Sequence, residues 1–265
     1  MQNRFIPFDI GAKDKKAYNN PKENDRTPRI SGEGRGEKGG RMDRIVLKNM
    51  ATKLKTEDLA KRMHIHKDSD FYDELEEAVE IAGRIARPGA ILKWVDVNEV
   101  GEDYAVVDGV KFESKVMANN LRGLKKVFFF VATAGGEVQD SREIDDETGV
   151  LKDMITSSIL MHTYGALMSY VTETFGGHNV AFMNPGSLPD WDISNNFALL
   201  EAIGGVGEEL GITLSPAGYM KPFQSGSGII FTNESGYTNC SLCKNLDCVG
   251  RRAAFDEEEY NKIFN

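Results

Sequence analysis

The spacing of hydrophobic positions along this chain changes several times, and each change marks an element. From Asp70 to Ala86 apolar residues return at helical spacing, with Leu75, Val79, Ala82 and Ile85 on one face, and Pro88-Gly89 stops the run. Ahead of it, Thr56-Glu57-Asp58-Leu59 predicts a second helix start, with Thr56 as cap and acids in the first turn. Ile91–Val97 alternates loosely and reads as a strand. Tyr104–Val107 and Val110–Phe112 flank Asp108-Gly109, a pair that predicts a hairpin with a tight primed turn. Lys126–Ala132 is apolar without alternation, the pattern of a strand buried on both faces. Thr133-Ala134-Gly135-Gly136-Glu137 then forces a turn.

Lys152–Phe175 is the longest helical stretch and is apolar nearly all round, so it is expected at the centre, packed on at least two sides. Val180–Asn184 leads into the loop Asn184-Pro185-Gly186-Ser187-Leu188-Pro189-Asp190-Trp191. Ser194-Asn195-Asn196 starts a helix bearing Phe197, Leu199, Leu200 and Ile203, and Gly204-Gly205 ends it. Ile212–Ser215, Gly218–Lys221 and Gly228–Thr232 read as strands of an antiparallel sheet. Helices alternate irregularly with hairpins, so the fold class is α+β and not doubly wound.

A chain of 265 residues can bury one substantial core. No apolar run approaches the roughly 20 residues a bilayer span needs, and Met1–Ile10 lacks a signal-peptide core, so a cytoplasmic protein without a membrane partner is expected. A net charge of -9 argues against a nucleic-acid partner. The charge is uneven: residues 1–41 hold ten Lys/Arg and six Asp/Glu, hence +4, which leaves -13 for the rest. That segment is rich in Gly, Pro and Asn and has almost no apolar periodicity after Ile10, which predicts disorder over Gly11–Arg41. A basic nucleic-acid arm is its functional alternative, and Met42, where the folded pattern begins, is a candidate start. The expected division is a disordered basic tail over 1–41, an N-terminal helical segment over 42–90, and an α+β core over 91–265 with a cysteine-containing C-terminal tail.

Three features could carry chemistry. Pro185-Gly186-Ser187 with Pro189-Asp190-Trp191 is a stiff turn in which glycine permits close backbone approach and proline fixes the path; a plain strand-to-helix connector is the simpler reading. Gly135-Gly136 could cradle an anion, yet no P-loop lysine and no Gly-x-Gly-x-x-Gly follows, and Gly204-Gly205-Val206-Gly207 reads as a helix stop. All three cysteines sit in Cys240-x2-Cys243-x4-Cys248, and soft thiolates at that spacing can converge on zinc or an iron–sulfur cluster. A tetrahedral ion would need a fourth ligand, for which His66, His178 or solvent could serve, and Arg251-Arg252 would lower the thiol pKa values. Unligated thiols remain the alternative. His162 inside the apolar helix reads as a core histidine, His64 and His66 form too weak a pair for a site, and Trp94 with Phe128–Phe130 reads as core.

Taken in order, these segments resemble the activation domain of cobalamin (vitamin B12)-dependent methionine synthase, in its stand-alone form near corrinoid methyltransferases. The resemblance spans roughly Thr56–Arg252. It rests on the Thr56–Ile65 helix, the buried strand running into Thr133-Ala134-Gly135, and the long helix around Gly165. Asn184-Pro185-Gly186 resembles the family's Ser/Ala-Pro-Gly-Tyr loop, and Asp190-Trp191 echoes the Asp-Trp of the stand-alone forms. Leu210–Ser215 and Met220-Lys221-Pro222, with Ser225 or Ser227, resemble a further family stretch, and the cysteines with Arg251-Arg252 look like the tail of those forms. Two positions depart: the family's arginine three residues before the proline is Phe182 here, and its tyrosine after Pro-Gly is Ser187.

The resemblance implies a C-shaped α+β domain around a twisted antiparallel sheet that binds S-adenosylmethionine (AdoMet) through backbone groups of the Pro-Gly loop. The partner implied is a corrinoid-binding protein or cobalamin-dependent methyltransferase, whose oxidised cobalt is remethylated with an electron from a donor protein. The ligand-binding residues expected are Asn184, Pro185, Gly186, Ser187, Asp190, Trp191 and Glu137, with Asp192 as a further acid favouring a sulfonium, and no catalytic residue is assigned. Two other functions compete: an iron–sulfur or zinc accessory protein with Cys240, Cys243 and Cys248 as metal ligands, and a corrinoid-protein docking chaperone without AdoMet binding.

Overall fold

Residues 44–52, 54–175, 179–247, 251 and 253–265 are described by a computed structural model. The expected tail over 1–41 lies outside the described residues, as do His178, Cys248 and Arg252.

The core is a seven-stranded antiparallel sheet. Its long central strand, β2 (Gly89–Val100), pairs through Gly89 to Asp96 with the whole of β5 (Lys126–Thr133), so Gly89 faces Thr133 and Asp96 faces Lys126. On its other side β2 is shared: its first part pairs with β1 (Arg44–Leu47) and its last part with β3 (Tyr104–Val107), which continues to β4 (Val110–Glu113). Beyond β5 lie β9 (Ser225–Thr232) and then β6 (Val180–Met183) at the edge. The Asp108-Gly109 turn has positive φ at both residues, 51° and 77°, as a primed hairpin turn requires.

Strand side chains alternate between two apolar layers, as the period of two demands. Phe128, Phe130, Ala132 and Ile230 point to the layer that contains α1 (Thr56–Met63), α2 (Asp70–Ile85) and α5 (Val150–Phe175). Val127, Phe129, Val131, Ile229 and Phe231 point to the layer of α3 (Lys115–Leu121), α6 (Asn196–Ile203), α7 (Val206–Leu210) and α8 (Asn239–Leu242). The central antiparallel sheet flanked by helices is the expected α+β class. A short helix, α4 (Glu137–Asp140), follows the Gly135-Gly136 turn, and α9 (Glu257–Phe264) packs on α8 and α3.

Several local expectations are corrected. Thr56 is the buried first residue of α1; the cap position is Lys55, and no side chain caps that end. α5 packs on β2 and β5 and on α1, α2 and α4, as expected, burying Ile155, Ile159, Leu167 and Val171 beside Thr156, Ser158, Leu160 and Thr163, but His162, read as a core histidine, is exposed. Of the three C-terminal strands expected in one sheet, only β9 joins the central one; β7 (Thr213–Leu214) and β8 (Met220–Lys221) form a separate pair. Among the described residues no helix is long and apolar enough to cross a membrane.

Candidate functional site

The end of the sheet where β5 and β6 finish and β9 begins gathers most of the residues singled out by the sequence. Thr133 faces Ser225 across β5 and β9, and Met183 faces Ile229 across β6 and β9, so the turns after Thr133 and after Met183 flank the first residues of β9. The Ser225 hydroxyl donates to Thr133 Oγ1 at 2.7 Å, and the Gly135 amide donates to the same oxygen at 3.0 Å. On the other flank, Asn184 Nδ2 donates to the Ser227 carbonyl at 2.6 Å. Two glycines of β9 permit this closeness: a Cβ on Gly228 would collide with the Met183 carbonyl, and one on Gly226 with the Tyr164 hydroxyl.

The Pro-Gly loop is held from below and open above. Pro185 and Leu188 are buried, whereas Gly186 and Ser187 are exposed. Gly186 takes φ +77°, in the left-handed region, and its amide donates to the Trp191 carbonyl at 2.7 Å. The Ser187 amide donates to the Asn184 carbonyl at 3.2 Å. Trp191 is fully buried, edge-on to Phe112 with ring centroids 5.6 Å apart. An aromatic side chain buries roughly 150–250 Å², worth about 4–6 kcal/mol at ~25 cal/mol per Å². Trp191 is therefore the anchor of the loop, shielded from solvent.

Asp190 is likewise committed. Its carboxylate accepts from Ser114 Oγ at 2.9 Å, from the Lys115 amide at 2.6 Å and from the Val116 amide at 3.3 Å, which places it on the open N-terminus of α3. Ser114 itself caps that helix by accepting from the Met117 amide at 3.0 Å. Asp192, by contrast, is exposed; its carboxylate accepts from the Ser194 amide at 2.9 Å, and the bonds to Ser194 hold its pKa below the ordinary value. Glu137 is exposed, with its carboxylate folded back against Gly135.

Against the loop, an open cleft of about 540 Å³ is lined by Gly186, by the run from Leu188 to Ile193, Asp190 and Trp191 included, and by Tyr219. Tyr219 is 53% exposed and offers an aromatic face at its rim. The volume falls in the range of small-molecule sites, and the polar groups at hand are the loop's peptide groups, of which the Gly186 and Ser187 amides already bond within the loop, and the exposed Asp192 carboxylate. Those groups suit a ligand that combines an aromatic ring with a cationic centre. Phe182 is half-buried and packs on Tyr164 and Phe130, with centroids 5.6 and 6.1 Å away, so the position expected to carry an arginine is filled by an aromatic cluster on the α5 face.

The cysteine segment forms a separate feature. Cys240 and Cys243 are half-buried cysteines, one in the first turn of α8 and the other at its C-cap. The Arg251 guanidinium donates to four backbone carbonyls, those of Cys240 (2.8 Å), Cys243 (2.6 Å), Asn245 (2.7 Å) and Ala253 (3.0 Å). It therefore acts as a clasp on the segment's backbone, a different use from the thiol activation its position suggests. Among the described residues no group of three or more His, Cys, Asp or Glu could hold a metal ion, and Cys248 lies outside them. His66 is exposed in the turn after α1.

Four polar residues at this end escape a sequence reading: Asn184's partner Asn239, the buried Asn196, Ser227's hydroxyl role, and Ser114. Asn196 and Asn239 are each the first residue of a short helix, the one signal the sequence gives for them.

The arrangement defines a class: a mixed α/β protein whose seven-stranded antiparallel sheet lies between two helix layers, with a Pro-Gly loop at one sheet end. No protein-family model matches the chain, and no curated protein matches it. Among solved structures, the crystal structure of the MetH reactivation domain bound to AdoHcy matches over 73% of this chain and 80% of that one, at 14% identity and a TM-score of 0.48.

Proposed function

We propose that this protein binds AdoMet at the Pro185-Gly186 loop and partners a corrinoid-bearing methyltransferase protein in its reductive reactivation, with a separate electron donor. The reading rests on the ordered series of motifs between Thr56 and Arg252. The observation that carries it is the exposed Gly186-Ser187 backbone, fixed over buried Pro185 and Trp191 and bordering a cleft of about 540 Å³. Asn184, Pro185, Gly186 and Ser187 would hold the ligand through peptide groups, and Tyr219 gives a purine a surface to stack on. The exposed carboxylates of Asp192 and Glu137 would favour a sulfonium cation. Asp190 and Trp191 serve one step back, by fixing the loop. AdoMet supplies an electrophilic methyl group; this chain's part is to bind and orient it, since proximity and orientation carry most of such a rate.

Phe182 supports a second reading, docking to a corrinoid partner without AdoMet, because its aromatic setting leaves no cation there for a carboxylate. One calorimetric titration separates the two. Wild-type protein should bind AdoMet, with S-adenosylhomocysteine as comparison ligand, and Gly186→Val should weaken binding by about ten-fold or more. A β-branched residue at φ +77° is strained by roughly 1–3 kcal/mol, and its Cβ would stand 3.2 Å from Ile193. Unchanged binding in a folded Gly186→Val protein removes the loop assignment. No binding by wild type, with retained binding to a corrinoid protein, selects the docking reading.

A further inference from the structure

A single line of side-chain amides joins the cysteine segment to the Pro-Gly loop. The Tyr237 hydroxyl donates to Asn239 Oδ1 at 2.9 Å, and Asn239 Nδ2 donates to Asn184 Oδ1 at 3.1 Å. Asn184 Nδ2 donates to the Ser227 carbonyl at 2.6 Å, the Ser227 hydroxyl donates to Asn196 Oδ1 at 2.7 Å, and Asn196 Nδ2 donates to the Gly218 carbonyl at 2.9 Å. Asn239, Ser227 and Asn196 are 6%, 1% and 3% exposed, so water cannot replace these partners cheaply.

The direction of the line is fixed by its ends. Burial, with smaller contributions from Asp190, Glu259 and Cys240, raises the Tyr237 hydroxyl well above the ordinary tyrosine range, so it is a neutral donor. The Ser227 and Gly218 carbonyls can only accept, which orients Asn184 and Asn196 and, through Asn184, leaves Asn239 Oδ1 for Tyr237. Asn239 also sits in the backbone of the cysteine turn, between Thr238, whose hydroxyl oxygen accepts from the Cys240 amide at 3.4 Å, and Cys240 itself. Arg251 then holds the carbonyls of Cys240 and Cys243. Asn184 is the first residue of the loop, and its own carbonyl accepts from the Ser187 amide.

We propose that Asn239 is a positioning residue for the Pro185-Gly186 loop, through which the conformation of the Cys240–Cys243 turn and the state of that loop each bias the other. Buried amide networks respond as units, and a coupling between two sites acts equally in both directions. Modification of the thiols therefore reads out at the loop, and a ligand on the loop reads out at the thiols. The ligand arm rests on the AdoMet reading above; the conformational arm does not.

The test is hydrogen exchange and thiol labelling on the full chain, with Cys248→Ser in every sample so that labelling reports Cys240 and Cys243 alone. Asn239→Ala should raise exchange of the Gly186 and Ser187 amides about five-fold, the scale of one lost buried hydrogen bond, with amides of Phe128–Phe130 unchanged. Asn184→Ala should raise the reaction of Cys240 and Cys243 with an aromatic disulfide reagent by a similar factor. Wild-type rates in both variants, or an equal rise at Phe128–Phe130, overturn the coupling. If Asn239→Ala does not fold, Tyr237→Phe asks the same question, with about a two-fold rise expected at Gly186 and wild-type exchange overturning it. AdoMet should slow thiol labelling in wild type and not in Asn239→Ala. Absence of AdoMet binding to wild type removes the ligand reading and leaves the exchange arm to decide the coupling.

Discussion

The hydroxyl of Ser114 donates to the carboxylate of Asp190 at 2.9 Å, across 76 positions of sequence. That carboxylate also accepts two amides of the first turn of α3, so one loop residue closes a helix end and is itself held in place. Hydrogen bonds to a charged acceptor contribute about 1.5–3 kcal/mol, of which partial exposure takes a share. Asp190→Ala should therefore destabilise the fold by roughly 1–3 kcal/mol and lower Tm by about 2–8 °C in thermal denaturation. Asp190→Asn, which keeps one acceptor oxygen, should lose less. Equal Tm for wild type and Asp190→Ala would show that the cap is energetically silent.

Glycines at the site and in the long helix should respond oppositely to alanine. At Gly228 a Cβ meets the Met183 carbonyl, a backbone atom that cannot step aside without parting β6 from β9. Gly228→Ala should cost about 3 kcal/mol or more, on the scale of an overpacked core. Gly165 lies inside α5, and nothing lies within 4 Å of its Cβ position. Gly165→Ala should stabilise by about 0.5–1 kcal/mol through helix propensity. Denaturant midpoints of the two variants, moving to opposite sides of wild type, check both.

Elements whose reasons are local were legible in the chain: the Asp108-Gly109 hairpin, the unbroken apolar strand over Phe128–Phe130, and α2 with its Pro88-Gly89 stop. β1 was not, because Arg44–Leu47 is four residues long and is a strand only through its pairing with Ala90–Lys93. α3 was missed since part of its capping comes from Asp190, far along the chain. In the candidate site the loop itself was legible from proline and glycine, but the division of labour within it was not. That Asp190 faces a helix end, that Trp191 sits against Phe112, and that Asn184 answers to Asn239 are consequences of packing that no spacing rule encodes.

Arg251 holds the cysteine segment by four carbonyls, and a planar fork is what that task needs. An ammonium at the end of a lysine cannot reach the same set. Arg251→Lys should leave the central sheet intact and loosen the turn from Cys240 to Asn245, raising the labelling rate of Cys240 and Cys243 by about ten-fold or more if roughly 1.5 kcal/mol or more of local stability is lost. Global Tm should change by less than it does for Asp190→Ala. An unchanged labelling rate would mean that the clasp does not limit opening of the segment.

The acid side of the stability profile should be traceable to named carboxylates. Hydrogen bonds to Ser194 hold the Asp192 pKa below its ordinary value of 3.8, and Lys48, 2.7 Å away, does the same for Glu209 against an ordinary 4.5. A carboxyl whose folded value is depressed binds its proton more readily in the unfolded chain. Its contribution is therefore fully present above the unfolded value and is lost as pH falls through the folded one. Both groups place that loss below about pH 4.5 and none of it near neutrality. Asp192→Asn keeps an acceptor for the Ser194 amide while removing the titration, so Tm should fall less steeply as pH drops below about 4.5, and Glu209→Gln should flatten the limb further. Profiles that superimpose on wild type would remove both residues as its source. At neutral pH Asp192 is a charged carboxylate at the rim of the cleft, as any exposed aspartate is, so Asp192→Asn should also weaken a sulfonium ligand more than its neutral thioether product, a difference the AdoMet and S-adenosylhomocysteine titrations read directly.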